Sequence, residues 1–335
     1  MNKTIKFIAA LFAACATLVS CSDWTEMKSI KLEEPDIAKQ HPEVYAKYLQ
    51  GLKDFKQTKH KKTYVWFDNT DATPSSRAQH IYDVPDSVDV VVLMNGELVN
   101  NYILNDMVDL LKNKGTKVIF DVDFDAIKQE YQLMRELTPE IEPTPEDFRE
   151  YLSAALTAAT QTCTKYYYDG ICIRYKGKSK LHLEPKELTD YIANENMFLG
   201  FMKDWQERNI DKMIAYAGIP QYVSDKSLFD MCDMVFCSQG LDATSEMQFD
   251  YFLALCEGVP EDKIGMMATS LSADPNYPKI GYLLNGQRSI EALGEWAAGA
   301  NVAGIGIYNV STDYYSTPTY GYSRRAIQNI SPSAH

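Results

Sequence analysis

The stretch Tyr168-Asp169-Gly170-Ile171-Cys172-Ile173-Arg174-Tyr175-Lys176 decides how this chain is read. Asp169-Gly170 makes a turn, and the residues after it alternate like a strand. Ile171, Ile173 and Tyr175 share one face; Cys172, Arg174 and Lys176 share the other. In a parallel barrel the first set would face a layer of helices and the second the barrel axis. Inward cations are costly to bury unless they are paired and hydrogen-bonded. Phe120-Asp121-Val122-Asp123-Phe124-Asp125 offers the partners, because D-x-D-x-D places three carboxylates on one face of the preceding strand. Asp121 or Asp123 is therefore expected beside Arg174 and Lys176, as an ion-pair plug. The same three acids could also form a relocated acid/base set or a cation site.

Outward from these two segments, strand-like apolar runs alternate with helical ones, the signature of βα units and a parallel sheet. The expected strands are 63–68, 88–95, 117–123, 170–175, 212–217, 234–238, 264–270 and 302–308, the eight that a closed barrel needs. The expected helices are 101–114, 145–162, 185–207, 245–257 and 290–299, and an earlier one opens at His41-Pro42-Glu43 and runs through Phe55. Thr144-Pro145-Glu146-Asp147 is a well-formed helix start, with a capping Thr and Pro at the first helical position. No G-x-G-x-x-G follows any strand, which disfavours an open doubly wound sheet. A chain of 335 residues has ample length for a barrel of about 250. The expected fold is α/β: a single (β/α)8 TIM barrel over residues 61–331, preceded by a signal at 1–20 and by a tether and helix at 21–60.

Residues 1–20 read as a secretory signal, with Lys3 and Lys6 ahead of an apolar run from Phe7 to Val19. The run ends in Leu18-Val19-Ser20-Cys21, which resembles a bacterial lipobox and makes Cys21 the expected lipidation site. The following Cys21-Ser22-Asp23-Trp24-Thr25-Glu26 resembles the acidic start of cell-surface lipoproteins of Bacteroidetes. The signal carries two Lys and no acid, so its removal takes the formal charge from −13 to −15. A chain this acidic is a poor partner for nucleic acid or anionic lipid.

The fourth-strand stretch resembles glycoside hydrolase family 18, the chitinases and endo-β-N-acetylglucosaminidases, whose fourth strand reads aromatic-D-G-x-D-x-D-x-E. The resemblance extends over about residues 40–330. Val88 to Asn95 looks like the family's second strand. Gly304-Ile305-Gly306-Ile307-Tyr308 looks like its eighth, with Tyr308 where family enzymes carry the Trp that floors the sugar subsite. The opening helix resembles a branch of Bacteroides lipoproteins that includes non-catalytic members. Asp169 survives in the degenerate motif, but Cys172, Arg174 and Lys176 stand where the resemblance places Asp, Asp and the proton-donating Glu. In the family that Glu protonates the leaving oxygen and the substrate's N-acetyl carbonyl attacks the sugar, a substrate-assisted route. An ammonium with a pKa near 10.4 is a far weaker acid. A guanidinium would oppose a transition state that is becoming cationic.

The resemblance implies a surface lipoprotein without hydrolase activity that binds carbohydrate, with N-acetylglucosamine-containing N-glycans or chitin-like oligomers as ligands. Its partners would be those glycans, the membrane through its lipid anchor, and an outer-membrane glycan import complex; no cofactor or metal is called for. The alternatives are an active endoglycosidase using Asp121, Asp123 or Asp125, and a structural partner that has lost sugar binding. Among 22 Tyr, 13 Phe and 4 Trp, those near the carboxyl ends of strands are the candidate stacking platforms. They are Trp66, Phe67, Tyr216, Tyr222, Phe236, Tyr308, Tyr314 and Tyr315. Asn69, Asn95, Gln239 and Asn309 are the candidate hydroxyl readers. No G-x-S-x-G, H-E-x-x-H or P-loop occurs. The cysteines make no C-x-x-C pair, and free buried thiols are expected, with a Cys232–Cys237 bridge the less favoured state.

Overall fold

A computed structural model describes residues 40–71, 73–137 and 144–332. The signal-like segment and Cys21 lie outside the described residues. The chain divides into two compact units, residues 1–46 and 47–335. Of the first, only residues 40–46 are described. The second holds eight parallel strands in one closed barrel. They are β1 (Lys62–Phe67), β2 (Val90–Leu93), β3 (Lys117–Asp123), β4 (Gly170–Tyr175), β5 (Met213–Gly218), β6 (Met234–Cys237), β7 (Ile264–Thr269) and β8 (Gly304–Tyr308). Each pairs with its sequence neighbour, and β8 closes on β1. The expected TIM barrel is therefore what forms, with β3 and β4 at the expected bounds.

The helices are α1 (Pro42–Gln57), α2 (Asn101–Asp109), α3 (Phe124–Glu136), α4 (Pro145–Lys165), α5 (Pro185–Arg208), α6 (Leu228–Met231), α7 (Met247–Ala254), α8 (Ser289–Gly299) and α9 (Gly321–Ile330). The crossover from β1 to β2 is built only from the short turns Arg77–Gln79 and Ile81–Asp83. Residues 110–114 leave α2 as a π-turn and end at Gly115, which has φ 66°. Thr144 caps α4 as expected, accepting from Asp147 N while the Asp147 carboxylate accepts from Thr144 N. Cys163, Cys172, Cys232, Cys237 and Cys256 are free and buried, so no Cys232–Cys237 bridge forms.

Helix α3 was not expected. The D-x-D-x-D run leaves the strand at Asp123, whose carboxylate accepts from Asp125 N (2.8 Å) and Ala126 N (3.2 Å) and caps the new helix. Asp125 thus sits in the first helical turn, off the strand face that Asp121 and Asp123 share. Phe124 anchors this change by packing edge-on against Phe148, Tyr175 and Phe198.

Two apolar layers follow from strand alternation. Val65, Phe67, Ile171, Ile173, Tyr175 and Tyr216 pack outward under the helices. Tyr64, Trp66, Cys172, Ala215, Ala217, Phe236 and Met267 fill the barrel axis. Such large rings fit inside because glycines face them. A Cβ on Gly306 would lie 2.9 Å from Trp66 Cζ3, and one on Gly265 would lie 2.5 Å from Phe236 Cδ1.

Candidate functional site

Register brings the acids of β3 to the cations of β4, since Asp121 pairs with Cys172 and Asp123 with Arg174. The Arg174 Nη1 donates to Asp121 Oδ2 (3.1 Å) and to the Tyr308 hydroxyl (3.1 Å), and Arg174 Nε lies 3.3 Å from Asp123 Oδ2. The guanidinium also stands over the Tyr308 ring, 4.7 Å from its centroid. Trp66 Nε1 donates to the other oxygen of Asp121 (2.9 Å). Both Asp121 oxygens and most of the Arg174 edge are therefore engaged.

The electrostatics favour a fixed ion cluster. Burial pushes the Asp121 carboxyl above its ordinary pKa, opposed by Arg174 and the Trp66 N–H. Burial would lower Arg174, but Asp121, Tyr308 and Asp123 reverse that and hold it charged. The Cys172 thiol is pushed far up by burial and then by Asp121, which leaves it protonated and a poor nucleophile. Lys176 stands one residue past the end of β4 and is exposed. The plug expected from sequence therefore holds Arg174 and omits Lys176, because the strand ends at Tyr175 and the chain turns away.

Asp169 and Gly170, the surviving part of the motif, lie at the opposite end of β4. Asp169 Oδ2 accepts from Val118 N (2.8 Å), tying β4 to β3. A Cβ on Gly170 would come within 2.0 Å of Met213 O on β5. Both residues serve strand packing, so Asp169 is a barrel fixture and no part of the site.

Four of the stacking candidates are corrected by depth or direction. Trp66 and Phe236 point along the axis but are wholly buried below the opening, and Tyr216 faces the helix layer against Phe229. The Tyr216 hydroxyl donates to Tyr175 O (2.6 Å). Phe67 also faces outward and is buried. Tyr308, Tyr222 and Tyr314 are half-buried, and Tyr315 is 72% exposed. Asn69 is spent inside the loops, donating to Asn95 O and Leu98 O and accepting from Asn95 N. Asn95 is half-buried and its side chain donates to Thr70 Oγ1 (3.2 Å). Gln239 is half-buried at the end of β6, where its Oε1 accepts weakly from Cys237 Sγ (3.7 Å). Asn309 takes a left-handed conformation with φ 55° directly after Tyr308.

An open groove of about 380 Å³ leads from this cluster over the start of α3, lined by Asp123, Asp125, Lys128, Gln129, Arg174 and Lys176 among others. Asp125 is the ionisable group here that sequence reasoning misplaced. Burial, then the neighbouring Asp123, raises its pKa, while Lys176 opposes the shift. Among the described residues no cluster of three or more His, Cys, Asp or Glu could hold a metal ion.

A family model described as glycoside hydrolase family 18, BT1044-like, matches residues 25–329. Among solved structures, a selenomethionine BT1044 carrying a Glu-to-Gln substitution superimposes with a TM-score of 0.61 at 18% identity, covering 87% of this chain and 94% of that one. An endo-β-N-acetylglucosaminidase from Cordyceps militaris, in apo form, gives 0.58 at 16% identity, covering 85% and 95%. Human YKL-39, described as a pseudo-chitinase with retained chitooligosaccharide binding properties, gives 0.50 at 11% identity, covering 82% and 99%. No curated protein sequence matches the chain.

Proposed function

The chain belongs to glycoside hydrolase family 18, in its BT1044-like group, and from that premise we propose that it binds glycans without cleaving them. The carrying observation is the Arg174 cluster. Where the family motif calls for a carboxylate beside the reacting sugar, this chain holds a guanidinium bonded to Asp121 and Tyr308. A fixed cation there raises the energy of an oxocarbenium-like transition state, and the position of the proton donor carries the exposed Lys176. Loss of general acid catalysis alone forfeits roughly 100- to 10,000-fold in rate. Binding needs neither group. Tyr308 stands half-buried at the mouth with Arg174 over one face of its ring, which leaves the other face for a sugar, and the groove beside it presents charged and amide groups to sugar hydroxyls.

The ligands are N-acetylglucosamine-containing glycans, N-glycans or chitin-like oligomers. That assignment draws on the family and on the retained chitooligosaccharide binding of the pseudo-chitinase YKL-39. The chain would be secreted, acylated at Cys21 and held at the outer membrane facing outward, where it passes glycans to an import complex. The apolar run ending in Leu18-Val19-Ser20-Cys21 supports this placement. Calorimetric titration with chitin oligomers and N-glycans tests the binding. Tyr308→Ala should weaken it about tenfold, near 1.4 kcal/mol; an unchanged affinity would remove Tyr308 from the site, and no binding by the wild type would end the reading.

A second reading is favoured by Asp125 alone: a carboxyl with raised pKa lining an open groove is what a relocated general acid requires. It predicts glycan release with a bell-shaped pH profile that Asp125→Asn abolishes.

A further inference from the structure

Beyond the ends of β7 and β8 lies a second cavity, of about 100 Å³, with a mostly apolar lining into which Thr269, Ser270, Arg288 and Asp313 bring polar groups. That volume is enough for several waters or one small ionised group. Arg288 is the unusual wall. Its guanidinium lies over the rings of Tyr282 and Tyr322, 4.3 and 4.8 Å from their centroids, and makes no hydrogen bond or ion pair among the described residues. Its ring contacts use none of its N–H donors, and a guanidinium with free donors meets a carboxylate or sulfate through two parallel bonds.

Two further observations point the same way. Ser270 is only 4% exposed, lines the cavity, and its hydroxyl has no partner among the described residues. Helix α8 begins just after Arg288 with no side-chain cap; Ser289 N donates to Gly281 O (2.9 Å), and Ile290 of the first turn is in the wall, so the N-terminal turn borders the same space. The nearby acids are largely accounted for. Glu291 is paired with Arg325 (3.0 Å), and Asp313 Oδ2 accepts from Ser323 N (2.8 Å) and Ser323 Oγ (2.6 Å). Asp313 has no cation partner among the described residues and disfavours an anion on its side of the cavity, so an oxyanion would sit against Arg288 and Ser270 with neutral hydroxyls toward Asp313. It also adjoins the first site, because Thr269 is the register partner of Tyr308.

We propose that this cavity binds the oxyanion of an acidic sugar, a carboxylate or sulfate ester held by Arg288 and Ser270, while the adjoining sugar lies at Tyr308. The second clause rests on the glycan-binding reading; the oxyanion site stands on its own contacts. The test titrates the full chain at constant ionic strength, so that screening is not read as binding. The probes are sodium sulfate and two N-glycans that differ only in a terminal carboxylated sugar. The acidic glycan should bind at least tenfold more tightly than the neutral one. Arg288→Gln should erase that difference, Ser270→Ala should reduce it about threefold, and both should leave neutral-glycan affinity unchanged. Sulfate should compete with the acidic glycan alone. Sulfate binding that depends on Arg288, with no glycan bound at all, would uphold the cavity and overturn the glycan reading. Equal affinity for both glycans with no sulfate binding, or a preference untouched by either substitution, would overturn the proposal and leave the glycan reading intact.

Discussion

Arg174 is 18% exposed in its side chain and faces an Asp121 carboxylate that is 2% exposed. Arg174→Ala would leave that carboxylate buried without its cation, held only by Trp66 and the Cys172 thiol, a loss of roughly 3 kcal/mol for a broken buried pair. Urea denaturation measures it, and a change within about 0.5 kcal/mol, as at ordinary surface sites, would contradict the plug. Gly170→Ala should be at least as damaging, because its Cβ meets a carbonyl oxygen of the β5 backbone that no side-chain rotation can move. The Arg174 pairing was legible in sequence, since neighbouring parallel strands with the same alternation must bring their inward residues together. The depth of Trp66 and Phe236 was not. Alternation tells which face a side chain takes but not its level along the axis, which the glycines of β7 and β8 set. Tyr216 could have been excluded from sequence, because it alternates with Ala215 and Ala217 and so faces away from them.

At the scale of elements, β3 and β4 lie at their expected bounds, with the apolar run marking β3 and the Asp-Gly turn marking the start of β4. The passage from β3 into α3 was not legible, since Asp123 is at once a strand residue and a helix cap, and D-x-D-x-D reads as one continued strand. Asp123→Ala should therefore cost about 1 kcal/mol through the cap, in addition to its share of the Arg174 pairing. A second element-scale prediction concerns α1 at the other end of the barrel, where Lys56 is buried and its Nζ donates to Val88 O (2.7 Å) and Thr116 Oγ1 (2.6 Å). Burial lowers its pKa from 10.5 to about 7. Between those values the unfolded chain holds a proton that the folded chain has released, so the cost of burying Lys56 is full below about pH 7 and is relieved as pH rises. Stability measured between pH 7 and 8.5 should rise in the wild type relative to Lys56→Met by roughly 1 kcal/mol. Parallel curves would show that Lys56 stays charged when folded. The Arg288 cavity left no trace in sequence. Its walls come from three separated segments, with no motif or period linking them.

For the whole molecule, one barrel carries a family's architecture with different chemistry at its mouth. The eight-strand order was legible because each strand shows as a local apolar run, even where the crossover from β1 to β2 holds only short turns and α3 was hidden. What the mouth does depends on which side chains stand at the strand ends, and there Arg174, paired with Asp121 and Asp123, occupies a position where the family motif carries an acid. Incubation with metabolic palmitate should label the protein in the cell and fail for Cys21→Ala, if the chain is anchored as proposed. Binding without cleavage is tested by incubating the chain from residue 22 onward with mixed N-glycoproteins and chitin oligomers and identifying retained and released glycans by mass spectrometry. Intact glycans retained on the protein, with none released, are the predicted result; released glycans ending in a single N-acetylglucosamine would contradict it.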